Sequence, residues 1–378
     1  MSEAPLFTPL FFVLCTFTFV VFVSAFQLFP TAPFRILALG GSHMMAGGFL
    51  GCLTYASAFS APLTGALADR LGRKRVILGA AILVTLVATS YAWSRNPRFL
   101  LGMAFLHGIF WSGLMAASAA YLTDLLPPAR RAEGIGYWGL ASVVAVAVAP
   151  RLGFALLDRG WGVVCIAVFL LNALMVGIAF FLPNRPVEVE EGEKGGLLEW
   201  RVLILSFTLF LYTFGYGGVT SFSALYARHL GVEPPWIFLS GFAFVTLVVR
   251  PFSARLADKV GYTRVLVPSL VLIAAGLLAL ALARGAVGFF VAACLFGSGF
   301  GSAYPVYAAY VMGAIPGARR GAAFGSLLFA FDTGIGTGSF ATGFLIERAG
   351  YPTAFAVAAF LALLSGPYFL LASRRLRL

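Results

Sequence analysis

The chain has 378 residues, of which 61% are hydrophobic and 11% are charged, and its mean hydropathy is +0.95. No water-soluble surface could cover a fold of this composition, so a soluble globular protein is excluded. The formal charge of +12 is attributed to membrane topology and to attraction for anionic lipid, and not to a nucleic-acid partner.

Apolar segments of about 20 residues, long enough to cross a ~30 Å hydrocarbon core, follow one another along the whole chain. They predict an all-α membrane protein with twelve transmembrane helices in two pseudo-symmetric six-helix bundles. The predicted spans are 8–29, 42–68, 75–93, 99–122, 134–157, 162–182, 202–227, 236–257, 265–283, 286–312, 321–346 and 352–372.

The second half of the chain repeats the first, at an offset equal to half the chain length. Three separated matches share this offset, so we infer a duplicated module. The matching pairs are Leu67–Val76 with Leu256–Val265, Pro127–Arg131 with Pro316–Arg320, and Leu157–Arg159 with Ile346–Arg348.

A segment rich in Pro, Gly and Glu separates the halves and cannot form a core. It predicts an N-terminal bundle over 1–182, a cytoplasmic linker over 183–201 and a C-terminal bundle over 202–378. With both termini in the cytoplasm, 17 Lys and Arg residues fall on the cytoplasmic side and seven on the opposite side. This bias predicts that orientation.

A charged loop between the second and third spans carries the most specific motif. Its residues are Gly65-Ala66-Leu67-Ala68-Asp69-Arg70-Leu71-Gly72-Arg73-Lys74-Arg75. This loop resembles the signature loop of the major facilitator superfamily, and a weaker copy that contains Asp258 lies between spans eight and nine. The resemblance covers essentially the whole chain and implies a transporter with six plus six helices. Residues 130–137, Arg250-Pro251 and Phe331–Gly338 resemble the drug- and metabolite-efflux branch of that superfamily.

The charges and the glycine of this loop indicate a structural role. Asp69 ends a span, Gly72 permits a tight turn, and a carboxylate there can face the positively polarised start of another helix. The resemblance implies that this helix is span eleven, which begins near Gly321, and that Arg73 meets Asp124. We therefore expect a conformational latch that closes the cytoplasmic side; the alternative is that these charges only anchor the topology. The predicted latch residues are Gly65, Asp69, Arg70, Gly72, Arg73, Lys74, Asp124 and Asp258.

Two charged residues lie within the predicted hydrocarbon region, where a charge costs roughly 2.5–3.5 kcal/mol at the centre. Asp332 is about eleven residues into span eleven, and we expect it to bind a proton or to form a permanent structural pair. Arg250, about six residues from the cytoplasmic end of span eight, is the partner we propose for it. Both break the repeat, because they align with Val143 and Ala61.

His107 is the third candidate for proton coupling, near mid-depth in span four. A lone histidine on an apolar helix is more often a satisfied structural donor, and that alternative stays open. Many proton antiporters of the superfamily carry an arginine three residues before this position, where this chain has Ala104. The usual coupling scheme is therefore in doubt here.

The resemblance makes spans one, four, seven and ten line a cavity. Aromatic walls with few hydrogen-bonding groups suit an amphipathic organic solute, although aromatic residues also pack interiors. The candidate cavity residues are Gln27, Trp111, Tyr212, Tyr216, Tyr304 and Tyr307.

Other chemistry has no sequence support. The G-x-G-x-x-G match at Gly134–Gly139 follows no strand and indicates helix packing. No phosphate-binding loop or metalloprotease motif occurs, and the four cysteines lack metal spacing. We expect no catalytic residue, no metal and no cofactor, which leaves a membrane-embedded enzyme or sensor as a remote alternative.

The sequence therefore predicts a secondary transporter that works by alternating access in the bacterial inner membrane. The leading hypothesis is proton-coupled efflux of a small amphipathic drug or metabolite. Uptake or facilitated transport of a polar solute, such as a sugar or an organic acid, is the alternative. The expected partners are the substrate, protons and lipid, with no nucleic acid, and the protein is expected to act as a monomer.

Overall fold

The computed structural model describes residues 6–127, 130–184, 199–315 and 319–376, and the centre of the predicted linker lies outside these ranges. The helices are α1 (Pro9–Leu28), α2 (Ala32–Ala38), α3 (His43–Leu71), α4 (Arg73–Ser90), α5 (Pro97–Leu125), α6 (Arg131–Leu157), α7 (Trp161–Phe181), α8 (Trp200–Leu205), α9 (Phe207–His229), α10 (Ile237–Val260), α11 (Tyr262–Ala281), α12 (Ala286–Ala314) and α13 (Arg320–Leu376).

Local sequence fixes several helix starts. Thr8, Ser42 and Asn96 each accept a hydrogen bond from a backbone N–H in the first turn of the helix that follows. Such N-caps satisfy donors that the helix itself leaves unpaired. The helices α1 and α5 also begin with proline, whose fixed φ suits the first helical position.

The twelve predicted spans are confirmed as helices in the described residues. Ten helical segments are long and apolar enough to cross a membrane, and one of them, Ala322–Leu376, holds two helices because Gly350 has a φ of 80°. The remaining span is α9, which is less apolar because of its Gly, Ser, Thr and Tyr residues. Almost every residue of α9 is buried, so this helix is covered by protein and does not need a lipid-facing surface.

Two details differ from the predicted spans. The first span continues beyond Leu28 into the short helix α2, and the predicted seventh span is interrupted at Ser206, between α8 and α9. The turns at equivalent positions of the two repeat copies have nearly the same backbone conformation. Gly72 and Gly261 are repeat equivalents and have φ values of 91° and 96°, a conformation that disfavours other residues.

Helices of the two halves meet along two main seams, α3 with the first segment of α13 (320–349) and α6 with α10. We call the end of the bundle with the Gly72 and Gly261 turns the loop end, and the opposite end, with α2 and Gly350, the closed end. One buried hydrophobic cluster joins both halves at the closed end. At the loop end, the buried residues of the first half form a separate cluster.

Candidate functional site

Direct contacts tie the two halves together at the closed end. Arg228 Nη2 donates to Asp158 Oδ1 at 2.8 Å, and the backbone N–H of Met44 donates to Glu347 Oε1 at 2.8 Å. The Arg228 guanidinium also lies 5.1 Å from the ring centroid of Phe34. These contacts join residues far apart in the sequence, so they hold one half against the other.

The seam between α3 and α13 continues from the closed end to the middle of the molecule. Ser339 Oγ donates to the Gly47 carbonyl at 2.7 Å, which requires the two backbones to lie very close. The Gly47 position has no room for a side chain, because an added Cβ would overlap the backbone of Ser339. Further along the seam, Tyr55 Oη and Thr337 Oγ1 are 2.6 Å apart.

Asp332 lies where this seam ends. Ser57 Oγ donates to Asp332 Oδ2 at 2.8 Å, and the rings of Phe59 and Phe329 pack edge to face at 5.3 Å one turn further. Beyond Phe59, no hydrogen bond, ion pair or ring contact joins the two halves within the described ranges. Leu63 is 74% exposed, and a Cβ added at Gly65 would meet nothing within 4 Å. The halves therefore separate toward the loop end.

The signature loop makes its contacts within the first half. Arg73 forms an ion pair with Asp124, and its Nη1 donates to the Ala120 carbonyl at 2.8 Å. Asp69 is exposed, and its described interaction is electrostatic, with Arg73. The predicted target of Asp69, the helix start near Gly321, lies where residues 316–318 and the side chains at 320 and 321 are outside the described part of the chain, so this contact stays a prediction. Among the other predicted latch residues, Arg70 is exposed and Lys74 half-buried.

The second copy of the loop is also self-contained. Asp258 is exposed and accepts a hydrogen bond from Tyr262 Oη at 3.3 Å, four residues later on the next helix. Tyr262 occupies the position that Arg73 has in the first copy. The two copies therefore differ in chemistry as well as in sequence.

The proposed pairing of Arg250 with Asp332 is wrong for this conformation. No ion pair within 4.0 Å joins them; the described salt bridges are Arg73–Asp124, Arg130–Glu133, Arg228–Asp158 and Arg319–Glu199. Asp332 takes its hydrogen bond from Ser57 instead, and both charged groups interact electrostatically with Tyr304. The sequence reached this error because it could not show which face of α10 meets α13.

Arg250 is also deeper than the sequence indicated. The helix α10 ends at Val260, ten residues later, which is about 15 Å at the helical rise of 1.5 Å per residue. Its side chain is half-buried, and no hydrogen bond or ion pair of its guanidinium is found among the described residues. A cation at this depth without a carboxylate partner is a candidate binding group.

His107 is a packed residue of the first half. It is 3% exposed, its Nδ1 lies 3.1 Å from Tyr91 Oη, and its ring stacks on that of Tyr91. The Tyr91 carbonyl in turn accepts a hydrogen bond from Trp161 Nε1 at 3.0 Å. This arrangement matches the structural alternative that the sequence left open for His107.

The six candidate cavity residues fall into two groups. Trp111 and Tyr304 are half-buried, and Tyr216 is 8% exposed and stacks on Phe300 with 4.6 Å between ring centroids. By contrast, Gln27, Tyr212 and Tyr307 are 0% exposed. These three lie inside helix packing in this conformation and do not line an accessible wall.

The aromatic surface of the second half is continuous beside Asp332. Phe331 contacts the ring of Tyr304 edge to face at 5.2 Å and lies 6.4 Å from the ring of Tyr216. A narrow apolar space lies nearer the closed end, between the halves, and Phe26, Val146, Pro150, Tyr216, Thr220 and Phe242 contribute to its lining. Within the described ranges, no group of three metal-ligating side chains occurs.

Sequence reasoning missed Ser57 and the inter-half role of Asp158 and Glu347. Ser57 carries no signal in a single sequence, because a small polar residue in a span is common. The two acids were visible as a pair at equivalent positions of the repeat. That pattern indicated duplication and did not reveal that both reach across to the other half.

Two repeated sets of long apolar helices that meet along two main seams define a multi-pass membrane protein. The family model of the Major Facilitator Superfamily matches residues 12–239 and 205–377, and the chain belongs to this superfamily. Its members are transporters and not enzymes, so the protein is a membrane transporter.

Known proteins agree with this assignment. The chain is 28% identical to an uncharacterized MFS-type transporter of Burkholderia mallei over 337 residues, which cover 85% of this chain and 81% of that protein. It is 25% identical to the multi-drug resistance efflux pump PmrA of Streptococcus pneumoniae, over 63% of this chain and 64% of the pump. A crystal structure of a bacterial homolog of the human lysosomal transporter Spinster shares the fold, with a TM-score of 0.79, 17% identity and 96% of each chain covered.

Proposed function

We propose that this transporter exports a small amphipathic molecule in exchange for protons. The observation that carries the proposal is the position of Asp332. Its carboxylate is half-buried where the seam between the halves ends, and it accepts a hydrogen bond from Ser57 of the other half. A carboxylate at such a boundary changes its surroundings whenever the halves move.

Protonation of Asp332 would act on this boundary in a defined way. The ionised carboxylate accepts the Ser57 hydroxyl strongly, because hydrogen bonds to charged acceptors are stronger than neutral ones. Adding a proton weakens that contact and removes a charge whose burial is costly. Proton binding would thereby favour rearrangement of α13 against α3, and the proton would be released where water reaches Asp332.

The surface beside Asp332 supports this substrate class. The ring pairs Tyr216–Phe300 and Tyr304–Phe331 offer large apolar faces with phenol groups at their edges. Such a surface suits a solute with an apolar body and a few polar groups. Similarity to the efflux pump PmrA supports export as the direction.

We assign the loop end to the cytoplasm of a bacterial inner membrane, on the basis of the Lys and Arg bias. The separation of the halves there then corresponds to an inward-facing state. In this proposal the bundles 1–182 and 202–378 of one monomer rock about the seam, joined by the linker 183–201. The latch of Asp69 and Arg73 would engage α13 when the loop end closes.

A second candidate function is transport of an organic acid, and Arg250 favours it. Its guanidinium has no carboxylate partner among the described residues, and five N–H groups in a planar fork match a carboxylate well. In this alternative, the substrate acid would bind Arg250 beside the aromatic surface. Export of an amphipathic molecule in exchange for protons requires Asp332, whereas transport of an organic acid requires Arg250.

Transport into proteoliposomes with an imposed pH gradient tests both candidates. For export of an amphipath, ethidium accumulation by the wild-type protein should follow the pH gradient, and Asp332→Asn should reduce it to the level of protein-free liposomes. The matched control is Glu233→Gln, an exposed acid without a described partner in the other half, which should behave as wild type.

The outcomes separate the candidates. If Asp332→Asn retains gradient-driven accumulation, the proton site is assigned to the wrong residue. If ethidium is not moved but radiolabelled benzoate is, and Arg250→Gln abolishes that movement, the organic-acid alternative replaces the export proposal.

A further inference from the structure

Two carboxylates at equivalent positions of the repeat both tie the halves together at the closed end. Asp158 follows α6, and Glu347 lies near the end of the first segment of α13. Asp158 accepts a hydrogen bond from Arg228 of the second half, and Glu347 accepts one from Met44 of the first half, each at 2.8 Å. Each half therefore extends one acid to the other.

Glu347 caps the start of α3, a helix of 29 residues. The Met44 N–H donates to its carboxylate, and the Ser42 hydroxyl and the His43 backbone lie close enough to favour its negative charge. The N-terminus of a helix carries partial positive charge and unpaired N–H groups, so an anion there is stabilised. His43 Nε2 lies 3.3 Å from Tyr351 Oη, which places a second polar contact beside the cap.

Asp158 has a different partner for a structural reason. The repeat equivalent of His43, the first residue of α3, is Val232, but α10 begins five residues later, at Ile237. The helix start that Asp158 would cap is thus displaced along the chain. Arg228, at the end of α9, supplies the positive charge in its place.

We propose that Asp158 and Glu347 form a two-point latch that holds the closed end shut, and that both contacts break whenever this end opens. The signature loop has no part in this latch, since its described contacts stay within the first half at the other end of the molecule. The proposal depends on alternating opening of the two ends. It does not depend on the substrate or on the coupling ion.

The contacts of Asp158 and Glu347 should stabilise the closed end to different extents. The side chains of Arg228 and Asp158 are 38% and 64% exposed, and solvent-exposed ion pairs are weak and screened by salt. Glu347 is exposed as well, but it accepts a backbone hydrogen bond at a helix start, where the partial positive charge favours an anion. We therefore expect Glu347 to contribute more to the latch than Asp158.

Distances between spin labels at each end test the latch in the full-length protein in nanodiscs. The background replaces Cys15, Cys52, Cys165 and Cys294 by alanine. Labels at Arg95→Cys and Arg284→Cys report the closed end, and labels at Arg75→Cys and Arg264→Cys report the loop end. All four labelled positions are exposed, and each pair consists of repeat equivalents, one in each half.

Glu347→Gln should raise the ratio of open to closed populations at the closed end by roughly two- to five-fold, as expected for a charge at a helix start. Asp158→Asn should give a smaller increase that disappears in high salt, and the double variant should give the largest increase. Glu233→Gln removes an acid at the same end that has no described partner in the other half, and it should leave both distances unchanged.

Two results would overturn the proposal. One is a double variant whose closed-end distances equal those of Glu233→Gln. The other is an Arg228→Cys/Asp158→Cys variant whose closed end still opens after a cross-link has joined the two cysteines. A variant that fails to fold is recognised by its elution profile, and the salt series on the wild-type protein then tests the Asp158 contact without substitution.

Discussion

The two ends of this transporter use the same repeated module in opposite ways. At the closed end, Asp158 and Glu347 each bond to the other half. At the loop end, Arg73 pairs with Asp124 and Asp258 bonds to Tyr262, so the described contacts stay within one half. Charged groups at both ends could join the halves, and among the described residues only those of the closed end do so in this conformation.

The contact between α3 and α13 weakens gradually from the closed end toward the loop end. It is tight at Gly47 and polar at Ser57 and Asp332, and no hydrogen bond, ion pair or ring contact of the described residues extends it beyond Phe59. Opening one end and closing the other requires this contact to move along the two helices. Asp332 lies at the present limit of that contact, which is why its protonation is expected to matter.

The largest effect on the population of the open closed end is expected from a larger side chain at Gly47, where the backbones of α3 and α13 are closest. Gly47→Leu cannot fit against Ser339, and overpacking of this kind costs about 1–3 kcal/mol. This cost should shift the population toward an open closed end by roughly 5- to 150-fold. The closed-end spin-label pair measures the shift.

The control for this substitution is Gly79→Leu on α4, where an added Cβ meets nothing within 4 Å. It should leave both distances as in the wild type. A Gly47→Leu protein that folds and keeps a closed end would contradict the proposed role of close backbone contact in this seam.

A smaller change in conformational populations is expected from a substitution at the loop end. Asp69→Asn removes the acid that would face α13 when this end closes, and a charge at an exposed helix start contributes ~0.3–1 kcal/mol. The closed population of the loop end should therefore fall a few-fold, as reported by the loop-end label pair. The repeat equivalent, Asp258→Asn, is the matched control and should change less. Equal effects of the two would show that the signature copy has no special role.

The smallest effect on transport is expected from His107. His107→Phe removes the hydrogen bond to Tyr91 within the first half, and a buried phenol left unpaired costs about 1–3 kcal/mol. The midpoint of thermal unfolding should fall, whereas gradient-dependent transport should persist. Loss of pH dependence with an unchanged midpoint would move the proton site from Asp332 to His107.

The helices could be predicted from the sequence because hydrophobic length reports directly on the membrane. The turns at Gly72 and Gly261 were equally visible, since a repeated glycine at a charged loop indicates a positive φ. The break at Ser206 was not visible, because the apolar pattern continues through it. Span positions therefore follow from composition, but interruptions inside a buried span do not.

The candidate site was less predictable than the helices, because it depends on which faces of the helices pack against the other half. The sequence paired Asp332 with Arg250, whose long side chain could reach inward from span eight, whereas the structure gives Asp332 the Ser57 hydroxyl. From the sequence, Asp158 and Glu347 were interpreted only as equivalent positions of the repeat. Neither partner can be deduced from one chain, because contacts between the halves have no periodicity of their own.

The most direct test of this account measures both ends of the wild-type protein in one set of conditions. Spin-label distances for Arg95→Cys with Arg284→Cys and for Arg75→Cys with Arg264→Cys are recorded across a pH series. We predict that any condition that lengthens the closed-end distance shortens the loop-end distance. A protein with both ends open at once, or with a closed end that stays shut while substrate is transported, would contradict it.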